Sequence, residues 1–477
     1  MKVTDEHPFH KEWDNRLKMV KAAANGEPAV KALRELVLPR LNPDDKSKAA
    51  NEFYDSYLAR AVYANFTGKT QSELVGIAFK KKPVIDLPPS YEPYQLNIDG
   101  TKTSLISHMQ QTLACMMAES LVALVVDYPE VEGAVSKKTL EEQNIRPTIK
   151  RYGFESIVDF HFESIGSEMV LQHIVLTEDY REKIGEFEYD EGTQYRQISI
   201  DDGVVQVSIW RKKSHESDYS RYKGPFPIKD AKGNNWTRIP VIMSDLMPPL
   251  LEDIALVNLG HFRNSAEYEE LCLMAGYAQP TLSGVTKDWI KFLKDNDVRF
   301  GNRSFVPLPE GGKYEFAQAD SNSIPKEAME HKEAQLTALG SRAVADAVAA
   351  KTASEILDNK AQKASDLYTL CETVSRMYES CFELFNRFTG ENSEPVIEIN
   401  TDFESSMLDM VMLNSIVSIW EKGLIPDSDI LDLLKRKELI DPTKPDKEVI
   451  QEIQDSVLRM SMPEMDLDED KDDTEDA

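Results

Sequence analysis

Between residues 352 and 388, apolar side chains fall on two rows with a spacing of seven. Ala364, Cys371, Tyr378 and Phe385 form one row, and Leu367, Val374, Cys381 and Phe388 the other. A repeat of this period predicts one long helix with a buried seam. Gly390 stands where a left-handed C-terminal cap belongs. Packing of the seam inside the chain is the simpler reading, and a coiled-coil homodimer is the alternative. Cys371 and Cys381 become core thiols, separated by ~15 Å of helix and so too far apart for a disulfide. The other two cysteines, Cys115 and Cys272, are widely spaced. That excludes a disulfide scaffold and a cysteine-based zinc module.

The rest of the chain alternates between two periods. The first ~130 residues read mainly as helix, with an aromatic-rich stretch of Phe53, Tyr54, Tyr57 and Tyr63 near the end of residues 45–62. Pro83, Pro88, Pro89 and Pro93 predict extended structure, and residues 104–125 a further helix. From 147 to 242 the period falls to two. Residues 170–176 read as a strand, and the alternating runs 198–200 and 205–209 flank Asp202-Gly203, which predicts a tight hairpin. His161, His173 and His215 lie in this block without metal-like spacing.

Helix returns after Trp236. A helix over residues 249–275, ~40 Å long, carries one stripe through Leu250, Ile254, Val257 and His261, and another through Leu259, Phe262 and Ala266. Two stripes predict contacts on two sides. Residues 281–324 are rich in turn formers, 325–339 read as helix, and 340–350 form a small-residue run. Helices are expected near 404–422, 427–441 and 446–460. The fold class is therefore α+β, mostly α-helical, with two to four folding units for 477 residues.

Charge narrows the function. The net charge is −28, with 83 acids against 55 Lys and Arg. Residues 464–477 hold nine acids and one lysine, so −8 sits in that tail and −20 elsewhere. A broad grip on nucleic acid, which needs a basic excess, is excluded, though a loose passage for DNA is not. No apolar signal region opens the chain, and its most hydrophobic stretch, residues 113–126, is too short to span a bilayer. A soluble protein of a reducing compartment is expected. Phosphate-cradling glycine loops, nucleophile elbows and zinc-binding histidine pairs are missing. Asp320, Glu330 and Lys332 could be forced into a magnesium-nuclease pattern, but in so charged a chain a solvated helix face accounts for them. No catalytic residue, metal or cofactor is implied.

Three stretches carry a family signal. Tyr57-Leu58-Ala59-Arg60-Ala61-Val62-Tyr63-Ala64-Asn65-Phe66-Thr67 continues to Leu74-Val75-Gly76-Ile77-Ala78-Phe79. Pro248-Pro249-Leu250-Leu251-Glu252-Asp253-Ile254-Ala255 continues through Asn258-Leu259-Gly260-His261-Phe262-Arg263-Asn264-Ser265-Ala266-Glu267-Tyr268, with Gln279-Pro280-Thr281-Leu282-Ser283-Gly284 beyond. Leu339-Gly340-Ser341-Arg342 is followed by Lys351-Thr352-Ala353-Ser354-Glu355. In this order, over roughly residues 45–440, the chain resembles the portal proteins of tailed bacteriophages, the head-to-tail connectors.

The resemblance implies a division of the chain. Residues 1–248 would be a wing of helices plus an antiparallel β region, 249–280 a first stem helix, 281–324 an α/β clip and 325–339 a second stem helix. Residues 340–351 would be a tunnel element, 352–403 the long helix and wing return, 404–460 a helical crown and 461–477 an acidic disordered tail. It implies a non-enzymatic homo-dodecameric ring at one capsid vertex of the virion, assembled in the host cytoplasm without a membrane. Double-stranded DNA would pass through it during packaging and ejection. Its partners would be the major capsid protein, scaffolding protein, large terminase subunit and a head-completion or tail adaptor. Stem packing would fall to Leu250, Ile254, Val257, Leu259, Phe262 and Tyr268. Clip contacts to terminase, adaptor or DNA would fall to Lys287, Trp289, Lys291, Lys294, Arg299 and Arg303. The tunnel would be lined from Ser341, Arg342, Ala343, Val344, Asp346 and Lys351. Another ring-forming or scaffolding virion protein is the alternative, and a magnesium-dependent nuclease the more distant one.

Overall fold

The structure, a computed structural model, describes residues 2–128, 145–212, 218–230, 233–276, 279–295, 308, 310–317, 322–344 and 353–401. One compact unit spans Met1–Thr401. The expected crown and acidic tail lie outside the described residues.

The N-terminal helices are α1 (Phe9–Asn25), α2 (Glu27–Ala32), α3 (Lys48–Arg60) and α4 (Phe66–Ala78). Side-chain caps set two of their starts: Ser47 Oγ accepts from the Ala50 amide, and Asn65 Oδ1 from the Gly68 amide. The proline-rich stretch is only partly extended. It holds the short strand β1 (Val84–Asp86), a 3-10 turn (Pro89–Tyr91) and α5 (Glu92–Leu96). Pro89 and Pro93 occupy first-turn positions, where a missing N–H costs nothing.

The helix expected over 104–125 is corrected. Helix α6 (Leu105–Glu119) ends at Ser120, whose φ is 64°, and β2 (Val122–Asp127) follows. Val122, Val125 and Val126 favour a pleated backbone, and β2 is buried on both faces as the middle strand of a sheet ordered β3-β2-β9, with β3 (Thr148–Gly153) and β9 (Val241–Met243). A continuous apolar run hides which period is in force.

The period-two block forms an antiparallel sheet in sequential order, β4 (Ile157–Ile165), β5 (Glu168–Lys183), β6 (Tyr189–Asp201), β7 (Val204–Lys212) and β8 (Tyr219–Pro227). The Asp202-Gly203 turn joins β6 to β7 with both residues at positive φ, 51° and 75°, as a type I′ hairpin demands. A buried ion cluster ties this sheet to the smaller one: Arg196 on β6 donates to Glu178 of β5 at 2.7 Å and reaches Asp127 of β2 at 3.4 Å.

Four elements follow: α7 (Glu252–Gly276), β10 (Gln279–Ser283), α8 (Lys287–Asp295) and β11 (Lys313–Ala317). Helix α9 (Ile324–Val344) outruns the expected 325–339 and takes in the first five residues of the expected tunnel element. Nothing in Gly340-Ser341-Arg342-Ala343-Val344 breaks a helix, because alanine and arginine are good formers. The long helix α10 (Ala353–Thr389) ends as the heptad predicts. Gly390 has φ 76° and its amide donates to Asn386 O at 2.8 Å. From Leu367 onward both rows are buried inside the chain, against α6, β2 and β9. The seam is a core, as the simpler reading had it. Strand β12 (Val396–Glu398) pairs with β1.

One buried histidine in this core has a measurable consequence. His108 of α6 is 3% exposed, and its Nδ1 lies 2.5 Å from the Tyr378 hydroxyl on α10. Burial, helped by Arg151, pushes the imidazole down from 6.5 to about 4. A base with a lowered folded pKa makes the unfolded chain the better proton acceptor, so stability is complete above pH 6.5 and falls as the pH drops towards 4. Between pH 7 and 5 the protein is expected to lose about 2 kcal/mol that a His108→Leu variant does not lose. Urea midpoints of both proteins at the two pH values check this. Equal losses would place the acid sensitivity elsewhere.

Candidate functional site

Helices α7 and α9 run antiparallel and meet along their length. Ile254 lies beside Gly340, His261 Nε2 is 3.0 Å from Glu333 Oε1, and Lys332 Nζ donates to Asn264 Oδ1. At their far end β10 and β11 pair in antiparallel register, from Gln279↔Ala317 to Ser283↔Lys313, with α8 between them in sequence. The unit is a two-helix stalk tipped by a β-α-β module.

The stalk is rooted through polar contacts on the first half of α7. Asn258 is fully buried. Its Oδ1 accepts from the Tyr63 hydroxyl at 2.7 Å, the Thr67 amide at 3.1 Å and the Thr67 hydroxyl at 3.0 Å, while its Nδ2 donates to Ala64 O at 2.8 Å. Ser265 Oγ accepts from the Val62 amide and donates to the Val62 carbonyl, and Arg263 Nε donates to Val37 O at 2.7 Å. Ion pairs Arg16–Glu252 and Arg60–Glu270 grip the helix from α1 and α3. Such contacts satisfy buried backbone groups that would otherwise each cost about 1–3 kcal/mol.

This geometry merges the two expected stripes into one inward face. Ile254, Leu259 and Phe262 are buried on it beside Asn258, His261 and Ser265, whereas Leu250, Val257 and Tyr268 are half-buried. The expected stripes included His261 but missed Asn258 and Ser265, since a buried asparagine or serine looks like a surface residue until its partners are known. Beyond Ala266 the helix emerges, with Leu273 and Met274 exposed.

On α8, Lys287, Lys291 and Lys294 are exposed at spacings of four and three, hence on one face. Trp289 is half-buried and stacks on Phe292 with ring centroids 4.9 Å apart. Leu293 is buried, and Ile290 and Phe292 are exposed. The module therefore presents a lysine face flanked by Ile290 on one side and Phe292 on the other, with Leu293 turned inward. Arg299 and Arg303 lie outside the described residues. Ser341, Arg342, Ala343 and Val344 fall in the last turns of α9, while Asp346 and Lys351 lie outside the described residues.

The two nuclease candidates among the described residues, Glu330 and Lys332, point to different partners. Lys332 is engaged with Asn264, Glu330 pairs with Lys326 on the exposed side of α9 at 3.7 Å, and Asp320 lies outside the described residues. Among the described residues no group of His, Cys, Asp and Glu is arranged to hold a metal, and no helix is long and apolar enough to cross a membrane. A cavity of about 570 Å³ at the root of the stalk is lined by Leu74, Met116, Met247, Leu251, Leu339 and Leu370, among others.

The described chain thus defines an α+β body carrying a helical stalk with a small mixed tip. A family model described as a domain of unknown function (DUF4055) matches residues 249–389, which cover the stalk, its tip and α10. No curated protein matches the sequence. Among solved structures, the chain is similar to one from the virion of a native gene transfer agent particle. The identity is 10%, over 80% of this chain and 92% of that one, with a TM-score of 0.35. It is also similar to a chain in the neck of a native gene transfer agent particle computed with C12 symmetry, at 12% identity over 78% and 89%, with a TM-score of 0.34.

Proposed function

We propose that this chain is a portal-type subunit. Twelve copies would close a ring at one capsid vertex and form the channel through which double-stranded DNA is packaged and ejected. The observation that carries the reading is the antiparallel register of α7 and α9, from Ile254 beside Gly340 to Asn264 bonded to Lys332, with the β10-α8-β11 module at the turn. That is stem, clip and stem in the order the sequence resemblance implies, followed by α10 as the long helix. In this reading α8, with its lysine face and exposed Ile290 and Phe292, is the platform for the large terminase and later for the adaptor. The body would sit among capsid and scaffolding proteins. The acidic excess suits a conduit, because walls of like charge keep phosphate from sticking.

A ring of this kind uses one heterologous interface repeated until it closes. Electron microscopy of the purified protein, with mass from light scattering, tests it. Twelve-fold particles with a central opening and a mass of about 650 kDa, twelve times 54.1 kDa, are expected. A ring whose opening cannot admit duplex DNA, or no ring even with scaffolding protein present, would overturn the reading.

A further inference from the structure

The hairpin of β5 and β6 reaches beyond the sheet that holds it. Strand β4 pairs with β5 only as far as Leu176, and β7 with β6 only as far as Tyr195. Among the described residues, six residue pairs, from Glu178↔Gln194 to Lys183↔Tyr189, have no further strand paired with them, a length of ~20 Å. A two-stranded ribbon is marginal by itself in water, yet this one is braced. Arg181 pairs with Glu191 at 3.3 Å and lies 4.2 Å from the Tyr189 ring. Arg211 donates to Glu182 and Gln194 and sits 3.9 Å from the Tyr180 ring. At the tip the amides of Ile184 and Gly185 both donate to Glu188 O.

That braced tip displays apolar side chains. Phe187 is 89% exposed, Ile184 62% and Tyr189 44%. Around them, residues 179–191 hold six acids against Arg181 and Lys183, a net −4 that Arg211 reduces to −3. A rigid arm with an aromatic end and an acidic shaft has little freedom to lose on docking, and an aromatic in a desolvated pocket is the usual energetic centre of an interface. A second copy of this chain, at −28 overall, brings charge of the same sign to such a shaft.

We infer that the β5–β6 ribbon is a docking arm for a different, basic protein, with Phe187, Ile184 and Tyr189 entering an apolar cleft rimmed by lysine or arginine. Under the portal-type reading, on which this choice of probe rests, the major capsid protein of the same particle is the partner to test.

The experiment compares the full-length chain with an I184S/F187S variant. Both positions are exposed, so the folded state is expected to be unchanged by circular dichroism. Binding of purified major capsid protein is measured by interferometry at 50 and 300 mM salt, with particle mass recorded on the same samples. The expected result is binding by the wild type that weakens with salt, and at least tenfold weaker binding by the variant at unchanged mass. Equal binding by the two proteins, or none by the wild type, overturns the inference. A change in oligomer mass would assign the arm to self-contact instead, and association with phosphatidylcholine vesicles would assign it to a lipid surface. The portal-type reading stands or falls separately, on the ring itself.

Discussion

Replacing Asn258 with leucine is expected to destabilise the protein by about 2–5 kcal/mol. The side chain sits in the second turn of α7 with no exposed surface, and one carboxamide oxygen receives three donors. Leucine keeps the heavy-atom branching but is bulkier and accepts nothing. The Tyr63 hydroxyl can fall back on Ala23 O at 2.8 Å, and Ala64 O retains the Phe66 amide at 2.9 Å. The Thr67 amide and hydroxyl have no such alternative in the structure, and both would be left as buried, unpaired donors. The loss is read from urea midpoints. Thr67→Val in the Asn258→Leu background should recover part of it by removing one orphan, and the cycle of single and double variants isolates the coupling. A loss below about 1 kcal/mol would mean that the first turn of α4 repairs itself.

The second large effect is expected at Arg196. Its guanidinium is 14% exposed and stands between Glu178 and Asp127, which are themselves 13% and 28% exposed. Burial disfavours its charge, but the two carboxylates prevail and its pKa is raised. Glu178 shows the mirror image. Burial alone would push its carboxyl up, yet Arg196, with hydrogen bonds from Tyr152 and Gln194, holds it below the usual carboxylate range. Arg196→Met removes the cation and leaves the acids behind, a change that costs about 3–5 kcal/mol when a buried pair is broken. The pH dependence identifies the cause. In the wild type Glu178 contributes stability above its ordinary pKa of 4.5, and this contribution is lost as the pH falls through the lower folded value. In the variant only the hydrogen bonds from Tyr152 and Gln194 still oppose burial at Glu178, so acid relieves the strain. The gap between the two proteins should therefore narrow below pH 4.5, and Glu178→Gln in the variant should recover much of the loss at pH 7. A gap independent of pH would mean that packing of the arginine stem, not its charge, held the two sheets together.

The elements that were legible in the sequence share a strong, single period. The two rows of α10 and the Gly390 cap could be read directly, because every seventh residue enters the same core. The β6–β7 hairpin was legible because Asp202-Gly203 tolerates the backbone that the turn requires. Strand β2 was not, since residues 113–126 are apolar whichever way they fold. The strained backbone at Ser120, which ends α6, has no counterpart in hydrophobic patterning. The stalk was half legible. Ile254, Leu259 and Phe262 announced a buried face, but Asn258 and Ser265 are recognisable only through Thr67 and Val62, 191 and 203 residues earlier. Lys332, a nominal metal-site lysine in the sequence, is a cross-helix tie to Asn264. The lysine face of α8 was not legible, because residues 281–324 read as turn-rich and only the helix brings Lys287, Lys291 and Lys294 onto one side.

The rooting of α7 also has a mechanical meaning. The helix is held at Asn258, Arg263, Ser265 and, through Arg60, Glu270, and only its last turns emerge, so it behaves as a beam clamped at one end and free at the other. An α-helix resists bending over ten residues, roughly 15 Å, so a push on the tip is not absorbed along the beam. It arrives as torque at the clamp, where Arg263 pulls on the Val37 carbonyl and Ser265 on the Val62 peptide. The joints that feel a load applied to the tip are therefore the segments before α3 and before α4, far from the tip along the chain.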